Sequence, residues 1–193
     1  MGKVIYTTSI SLDGFVAGPN DEVDQVFKWM LSGDTDFPLA GPGIKISRAS
    51  IDLLGKTWPT VGAVVSGRRV FDLAEWGDDP PLGLPQIIMT HNPPQEWIKP
   101  GSPYTFVTDG IASAIRQAKQ AAGDKHVEIS TPNVMQQALN AGLLDEIHLN
   151  LAHVLIGEGI RLFDNLASPP IDLERLVVVE GTGVTHLQFR VVK

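Results

Sequence analysis

The sequence predicts an α/β domain with a mainly parallel central sheet and an antiparallel hairpin at its C-terminal edge. Apolar runs rich in β-branched residues alternate with stretches of helical periodicity, which is the pattern of parallel strands joined by crossover helices. The last two apolar runs are separated only by Gly181-Thr182-Gly183, which favours a tight antiparallel turn. A chain of 193 residues can bury a sizeable core, so residues 1–193 are predicted to form one domain.

Composition narrows the class of partner. The net charge of -7, from 15 Lys and Arg against 22 Asp and Glu, argues against nucleic acid as a ligand. The absence of cysteine excludes disulfides, thiolate nucleophiles and Cys-based metal sites, and no metal is expected. Residues 1–9 lack the apolar core of a secretory signal, and no apolar run approaches the roughly 20 residues that span a bilayer. A cytoplasmic location without membrane contact is therefore expected.

The N-terminal third is predicted to contain one strand and two helices. Val4-Ile5-Tyr6 begins the strand, which runs into an irregular loop over residues 9–19 because Asp-Gly and Gly-Pro pairs mark turns. Helical spacing predicts a helix over 21–31 with Asp21 as its cap and a second helix over 44–54 that Gly55 ends. Residues 32–43 between them are predicted to form a loop that covers the substrate.

The stretch from Val61 to Phe71 is predicted to be a buried strand that turns directly into a helix, with Ser66 as the N-cap. Gly67 lets a ligand approach the backbone, and a helix N-terminus offers free N–H groups. Arg68 and Arg69 add forked donors that match phosphate oxygens. The alternative is a capped helix with two solvated arginines.

The remaining elements follow in order. Strands are predicted at residues 86–89, ending in Thr90-His91, and at 104–107, followed by a helix over 111–122 that Gly123 ends. A strand from Val127 meets Thr131 as an N-cap, and Pro132 is favoured at the first position of the next helix. Strands at residues 143–149, 173–180 and 184–192 complete the sheet. Alternation in the last strand predicts one covered face, formed by Thr185, Leu187, Phe189 and Val191.

Several of these segments resemble the dihydrofolate reductase-like superfamily, in particular the branch related to the reductase domain of riboflavin biosynthesis (the RibD C-terminal domain). The similar segments are Ser-Leu-Asp-Gly-Phe-Val-Ala-Gly from Ser11, Gly-Arg-Arg-Val-Phe from Gly67, Thr-His-Asn-Pro-Pro from Thr90, Ala-Gly-Leu-Leu-Asp-Glu-Ile-His-Leu from Ala141, and Val-Leu-Ile-Gly-Glu-Gly-Ile-Arg-Leu-Phe from Val154. The resemblance covers nearly the whole chain and implies a three-layer dihydrofolate reductase-like fold.

The resemblance also implies a function, which is hydride transfer from NADPH to a small pyrimidine-like or pterin-like heterocycle by a homodimeric enzyme. The residues that it assigns to the cofactor are Val16, Ala17, Gly18, Ser66, Gly67, Arg68, Arg69, Thr90, His91, Ser130, Thr131 and Asn133. It assigns Ser9, Asp13 and Phe27 to the substrate, and Asp24 is the nearest match to the proton-donating carboxylate. The residue-level alternatives are a turn-forming role for Asp13 and an exposed helix-surface position for Asp24.

Two departures from the family pattern bear on the cofactor. Relatives carry Arg where this chain has Asn92, so NADH is a possible cofactor beside NADPH. Relatives carry Gly-Gly-Ala where this chain has Ser130-Thr131-Pro132, which adds side chains and removes one N–H from the ligand surface. The second hypothesis is accordingly a non-catalytic member of the fold that binds a nucleotide or metabolite weakly, or that serves as a dimeric interaction module.

Overall fold

The computed structural model confirms an α/β fold with helices on both faces of an eight-stranded sheet. It describes residues 2–74, 77–167 and 169–193, so Met1 of the N-terminal stretch considered above lies outside the described residues. The strands are β1 (Val4–Ser11), β2 (Phe15–Ala17), β3 (Thr35–Asp36), β4 (Lys45–Ile46), β5 (Val61–Gly67), β6 (Gln86–Met89), β7 (Tyr104–Val107), β8 (His126–Ile129), β9 (Glu146–Ala152), β10 (Ile160–Arg161), β11 (Leu173–Gly181) and β12 (Val184–Val191). The α-helices are α1 (Asp24–Phe27), α2 (Arg48–Thr57), α3 (Arg68–Ala74), α4 (Ile111–Ala122) and α5 (Pro132–Asn140).

The strand order of the central sheet is β11-β12-β9-β1-β8-β5-β6-β7. Strands β9, β1, β8, β5, β6 and β7 pair in parallel, whereas β12 is antiparallel to both β9 and β11. The parallel core and the antiparallel C-terminal edge are as predicted. Because their strands are parallel, the carboxyl ends of β1, β5, β6 and β8 lie at one edge of the sheet.

Alternation along β6 shows that the helices form two separate layers. Ile87 packs in the main core with Ala114, Ile115 and Ala118 of α4. Ile88 points to the other face and packs with Phe71 of α3. The sheet is therefore the middle of three layers, with α4 and α5 on one face and α2 and α3 on the other.

Helix α2 is held to the sheet by a buried polar network. Ser47 caps the helix by accepting the N–H of Ser50 at 3.3 Å, and the Ser50 hydroxyl meets His186 Nε2 at 2.8 Å. His186 Nδ1 lies 2.7 Å from Asn150 Oδ1, so a neutral imidazole can donate at Nδ1 and accept at Nε2. Burial lowers the pKa of His186 to about 4, which keeps the ring neutral.

The helix predicted over 21–31 is shorter than expected. α1 begins at Asp24 and ends at Phe27, and a 3-10 turn continues from Lys28 to Leu31. Asp21 as its cap is wrong, because Asp21 closes a turn with Gly18 and has φ 66°, in the left-handed region. The turn takes the backbone out of the helical path before α1 starts.

The helix predicted over 44–54 also has different bounds. Residues 45–46 form β4, which pairs with β3 inside the segment predicted as a loop. Because Ser47 supplies the cap, α2 starts at Arg48 and continues through Gly55 to Thr57. Gly55 as the end of the helix is therefore wrong.

Two further predictions need correction. Ser66 is not an N-cap, because β5 continues to Gly67 and the buried Ser66 hydroxyl has no hydrogen-bond partner among the described residues. On β12 the predicted covered set is only half-buried apart from Val191, whereas Val184 and His186 on the opposite face are buried. The reason is that Trp29 and α2 cover the His186 face.

The network around His186 generates a stability prediction. Replacing His186 with Ala leaves Ser50 and Asn150 without this partner and opens a cavity, so we expect the free energy of unfolding to fall by about 2–4 kcal/mol. The folded pKa lies below the unfolded value of 6.5, so in the wild type this stabilisation is complete above about pH 6.5 and is lost as the pH falls towards 4. Urea unfolding between pH 4 and 7 measures both effects.

The matched control is Arg190→Ala, which removes an exposed ion pair with Glu174 and should cost less than about 1 kcal/mol. A His186→Ala protein with the wild-type dependence of stability on pH would contradict this account of the imidazole.

Candidate functional site

A groove of about 1000 Å³ runs along the carboxyl ends of the parallel strands. Four corners of the chain meet there: the segment after β1, the β5–α3 turn, the residues after β6 and the β8–α5 turn. Ligands of open α/β sheets bind at this edge, and the volume is at the upper end of the roughly 300–1,000 Å³ typical of ligand pockets. The groove is therefore the candidate functional site.

Most of the residues predicted to contact a cofactor border this groove. They are Val16, Ala17, Gly67, Arg68, Arg69, Thr90, His91, Ser130, Thr131 and Asn133, and Phe27 from the predicted substrate set joins them. Gly18 and Ser66 are not among the lining residues. Gly18 instead closes the turn that carries Asp21, and Ser66 points into the protein from β5.

The two predicted phosphate-binding arginines stand at the head of α3, and both are already paired. Arg68 donates from Nε to Asp72 at 2.6 Å and from Nη1 to the carbonyl oxygen of Asn92 at 2.6 Å. Arg69 forms an ion pair with Asp21 across the groove. An incoming anion must compete with two carboxylates for these guanidiniums, which lowers the net attraction of this end of the groove.

Thr131 occupies the N-cap position of α5, as predicted, but its side chain serves the neighbouring corner. Its hydroxyl accepts the N–H of Gly67 at 3.1 Å and makes no capping bond to its own helix. Thr131 is only 6% exposed, so its side chain packs under the β5–α3 turn and the groove stays open in front of it. The N–H of Gly67, which a glycine turn without this side chain would offer to an anion, is therefore used inside the protein.

The predicted substrate residues have different surroundings. Ser9 is fully buried, and its hydroxyl accepts a hydrogen bond from Trp29 Nε1 at 3.0 Å. Asp24 is exposed at the start of α1 and does not line the groove. Its assignment as proton donor stays a prediction, without support from its position.

Asp13 organises the loop that follows β9. Its carboxylate accepts the hydroxyl of Ser11 at 2.6 Å and the N–H groups of Ile156 and Gly157, the latter at 2.7 Å. The bond from Ser11, assisted by the two backbone donors, lowers the pKa of Asp13 to about 2. Asp13 is thus an ionised carboxylate that links two loops by hydrogen bonds, and it does not line the groove.

Two hydroxyl groups at this end of the sheet lack partners among the described residues. Ser66 Oγ on β5 and Ser130 Oγ after β8 are both shielded from solvent. Buried polar groups are almost always satisfied, so each hydroxyl has unused capacity for a water or a ligand atom. Together with the arginines, Thr90 and the first turn of α5, Ser130 gives the groove the donors that a phosphate-bearing dinucleotide requires, whereas Ser66 does not line it.

The motif analysis did not identify several groove residues. Thr8, Asp21 and Ile160 border the groove, as do Val23, Met89 and Gln137. Ile160 reaches it because β10 pairs with β2, a contact between residues far apart in the sequence. Alternation along β1 was the available signal for Thr8.

Among the described residues no group of three or more His, Asp or Glu side chains could hold a metal ion. None of the described helices combines the length and apolarity needed to cross a bilayer.

Comparison with known proteins gives a family match over nearly the full length. A family model described as the RibD C-terminal domain matches residues 2–187. The chain is 25% identical over 161 residues to the uncharacterised protein YyaP of Bacillus subtilis (strain 168), which corresponds to 83% of this chain and 80% of that protein.

Solved structures share the fold at low sequence identity. A protein from Shewanella sp. PV-4, provisionally named a riboflavin biosynthesis protein, superposes with a TM-score of 0.72 at 20% identity, covering 99% of both chains. A diaminohydroxyphosphoribosylaminopyrimidine deaminase/5-amino-6-(5-phosphoribosylamino)uracil reductase from Thermotoga maritima gives a TM-score of 0.66 at 12% identity. The match covers 99% of this chain and 57% of that one, so the chain spans little more than half of the Thermotoga protein.

The contacts of Asp13 generate a prediction about the loop at residues 154–158. Asp13→Ala removes the acceptor for two backbone N–H groups, so we expect faster amide hydrogen exchange at Ile156 and Gly157. Because the folded pKa is depressed, the wild-type stabilisation is present above the ordinary value of 3.8 and is lost as the pH falls through about 2.

Asp36→Ala is the control, since Asp36 makes only a long surface pair with Lys45 at 3.9 Å. Unchanged exchange at Ile156 and Gly157 in Asp13→Ala would show that the carboxylate does not hold the loop.

Proposed function

The chain belongs to the RibD C-terminal domain family, and from this we propose that it is a reductase that uses NADPH to reduce a small heterocycle. The single observation that supports the proposal is the convergence of four chain corners, with their arginines and hydroxyls, on one groove. When bound, a reduced nicotinamide supplies a hydride to a C=N or C=O carbon. The protein binds both molecules, orients the two rings and supplies a proton.

Arg68, Arg69, Thr90 and His91 would hold the phosphates at one end of the groove, with backbone N–H groups from the start of α5. Asn92 contributes a carbonyl oxygen to Arg68 and no positive charge. Discrimination between NADPH and NADH would therefore depend on Arg68 and His91. NADH remains a possible second cofactor.

Val16, Ala17 and Phe27 give the other end of the groove an apolar wall. A flat heterocycle would pack there, because aromatic and aliphatic side chains exclude water from a reacting ring. The Thermotoga relative is named as a reductase of a phosphoribosylaminouracil. We propose a pyrimidine-like or pterin-like substrate for this chain on that basis.

The second candidate function is a non-catalytic member of the family with weak nucleotide binding. Its specific support is the loss of free donors: Gly67 N–H is bonded to Thr131, and Asp21 and Asp72 already pair with the two arginines. Either candidate would be a cytoplasmic protein.

A homodimer is also part of the proposal. Strands β9, β12 and β11 carry apolar side chains, among them Leu149, Leu187 and Phe189, that are only half-buried within one chain. A second copy could cover this face, because oligomer interfaces bury apolar surface of this kind.

Titration of NADPH fluorescence tests the first function. We expect saturation below about 1 mM, the concentration that corresponds to roughly -4 kcal/mol of binding free energy. Arg68→Ala should weaken binding about 10-fold or more, since a charge-assisted hydrogen bond contributes on the order of 1.5–3 kcal/mol. Arg48→Ala is a matched control, because Arg48 forms the same i,i+4 pair with Asp52 on α2 that Arg68 forms with Asp72 on α3.

Lack of saturation at millimolar NADPH in the wild type would favour the non-catalytic candidate. The double variant Ser130→Gly with Thr131→Gly then identifies the cause. Recovered binding would show that the side chains of the β8–α5 turn exclude the cofactor, and unchanged weak binding would place the cause elsewhere in the groove.

A further inference from the structure

Glu128 is a half-buried residue without an assigned role. It lies at the centre of the sheet on β8, and none of the described residues forms a hydrogen bond with its carboxyl group. The side chain faces the layer of α2, because Val127 and Ile129 on either side of it point into the main core. A buried carboxyl with no partner is costly, and such groups concentrate at functional sites.

The surroundings of Glu128 bring its titration close to neutral pH while leaving the residue in contact with solvent. Burial raises the pKa of Glu128 from its ordinary value of 4.5 to about 7. The residue is nevertheless half-buried rather than sealed, because it borders a small pocket of about 20 Å³ beneath α2. That volume is sufficient for a water molecule, so a proton can reach the carboxyl from this side.

Strand register places a row of hydroxyl groups between Glu128 and the groove. Ile129 pairs with Tyr6 of β1 on one side and with Val65 of β5 on the other. The residues that follow these two, Thr7 and Ser66, therefore flank Ser130 on the adjacent strands. The N–H of Ser130 still bonds to the carbonyl oxygen of Val65 at 3.0 Å, which shows that the strand path continues through this residue.

Ser130 connects the two spaces. It stands two residues after Glu128, on the same face of the sheet and roughly 7 Å further along the strand, a distance that a glutamate side chain and one water can bridge. It also borders the groove. The hydroxyl groups of Ser130 and Ser66 are shielded and unpartnered, so they have free capacity to accept and donate a proton.

We propose that Glu128 is the proton reservoir of the reductase described above, and that it acts through the hydroxyl group of Ser130 at the edge of the groove. The inference rests on the proposed function. It makes Glu128 a positioning residue rather than a catalytic residue, because only Ser130 borders the ligand space. It also gives the exposed Asp24 no part in proton transfer.

In this step the carbon of a substrate C=N bond would receive a hydride from the reduced cofactor, which would thereby be oxidised, and the π electrons would move to nitrogen. That nitrogen would take the proton of the Ser130 hydroxyl, which would receive the carboxyl proton of Glu128 through one water. Glu128 is left as a carboxylate and is protonated again by water through the pocket under α2.

Other ionisable groups near Glu128 could affect its titration, and they are few among the described residues. They are His126 on β8, Glu146 and His148 on β9, His186 on β12, Lys3 beside Glu146, and the Tyr6 phenol on β1. The α2 layer presents Leu53, Leu54, Thr57 and Trp58 to the pocket and adds no charge.

A titration of Glu128 tests the inference without any substrate. Carbon-13 NMR of the full chain with carboxyl-labelled glutamate follows the resonance that Glu128→Gln removes. We expect a midpoint near pH 7 in the wild type and an upward displacement of about half a pH unit in Ser130→Ala, because the proposed water-mediated link from the Ser130 hydroxyl to the carboxylate would be lost. Ser32→Ala, which removes a hydroxyl bonded only to its own helical turn, should leave the midpoint unchanged.

Kinetics with NADPH and an acceptor found by screening C=N and C=O heterocycles give the second readout. The wild-type kcat should fall above about pH 7, whereas Glu128→Gln should be at least 10-fold slower and lack this limb. Glu128→Asp should restore part of the rate, and the exposed Glu180→Gln should match the wild type.

A Glu128 midpoint near 4.5, or one that Ser130→Ala leaves in place, overturns the inference. So does a Glu128→Gln enzyme with the wild-type pH profile. In both cases, NADPH binding by the wild type would leave the proposed function standing. If the wild type does not bind NADPH, that result counts against the proposed function, and the titration still decides the link between Glu128 and Ser130.

Discussion

Parallel pairing of β1, β8, β5 and β6 is the constraint on which the site depends. It brings to one edge of the sheet four corners that are separated by dozens of residues in sequence. Each corner contributes little by itself. Arginines at the β5–α3 turn, hydroxyls after β6 and β8, and the apolar segment after β1 form a groove only because the strands run in the same direction.

Within that frame, side chains of this chain alter the anion-binding character of the groove. Thr131 ties the β8–α5 turn to Gly67 of the β5–α3 turn, which joins two corners and consumes one backbone donor. Asp21, held in a left-handed turn, joins a third corner to Arg69. The groove is more tightly cross-linked and less positive than glycine-rich corners with free arginines would make it.

The sequence was sufficient for the fold and for the position of the groove, because strand ends followed by Gly, Thr or Ser are local signals. This signal singled out Gly67, whereas Thr90 and Ser130 were assigned through the family resemblance of their segments. Long-range pairing had no such signal: the partners of Arg69 and Asp13 come from segments 48 and more than 140 residues away. Glu128 was not singled out for the same reason, since its isolation arises from the two neighbouring strands, β1 and β5, and from α2. The predicted starts of the first two helices failed because Asp21 lies in a left-handed turn and Ser47 caps α2, and the predicted end at Gly55 failed because α2 continues to Thr57.

A crystal structure of the complex with NADP⁺ is the most direct test of the central claim, that the four corners together hold one nicotinamide dinucleotide. The account predicts continuous density from Arg68 and Thr90 along Ser130 to Val16, with Arg69 released from Asp21. Density confined to a surface away from the groove, or an unchanged Asp21–Arg69 pair beneath a bound cofactor, would contradict it.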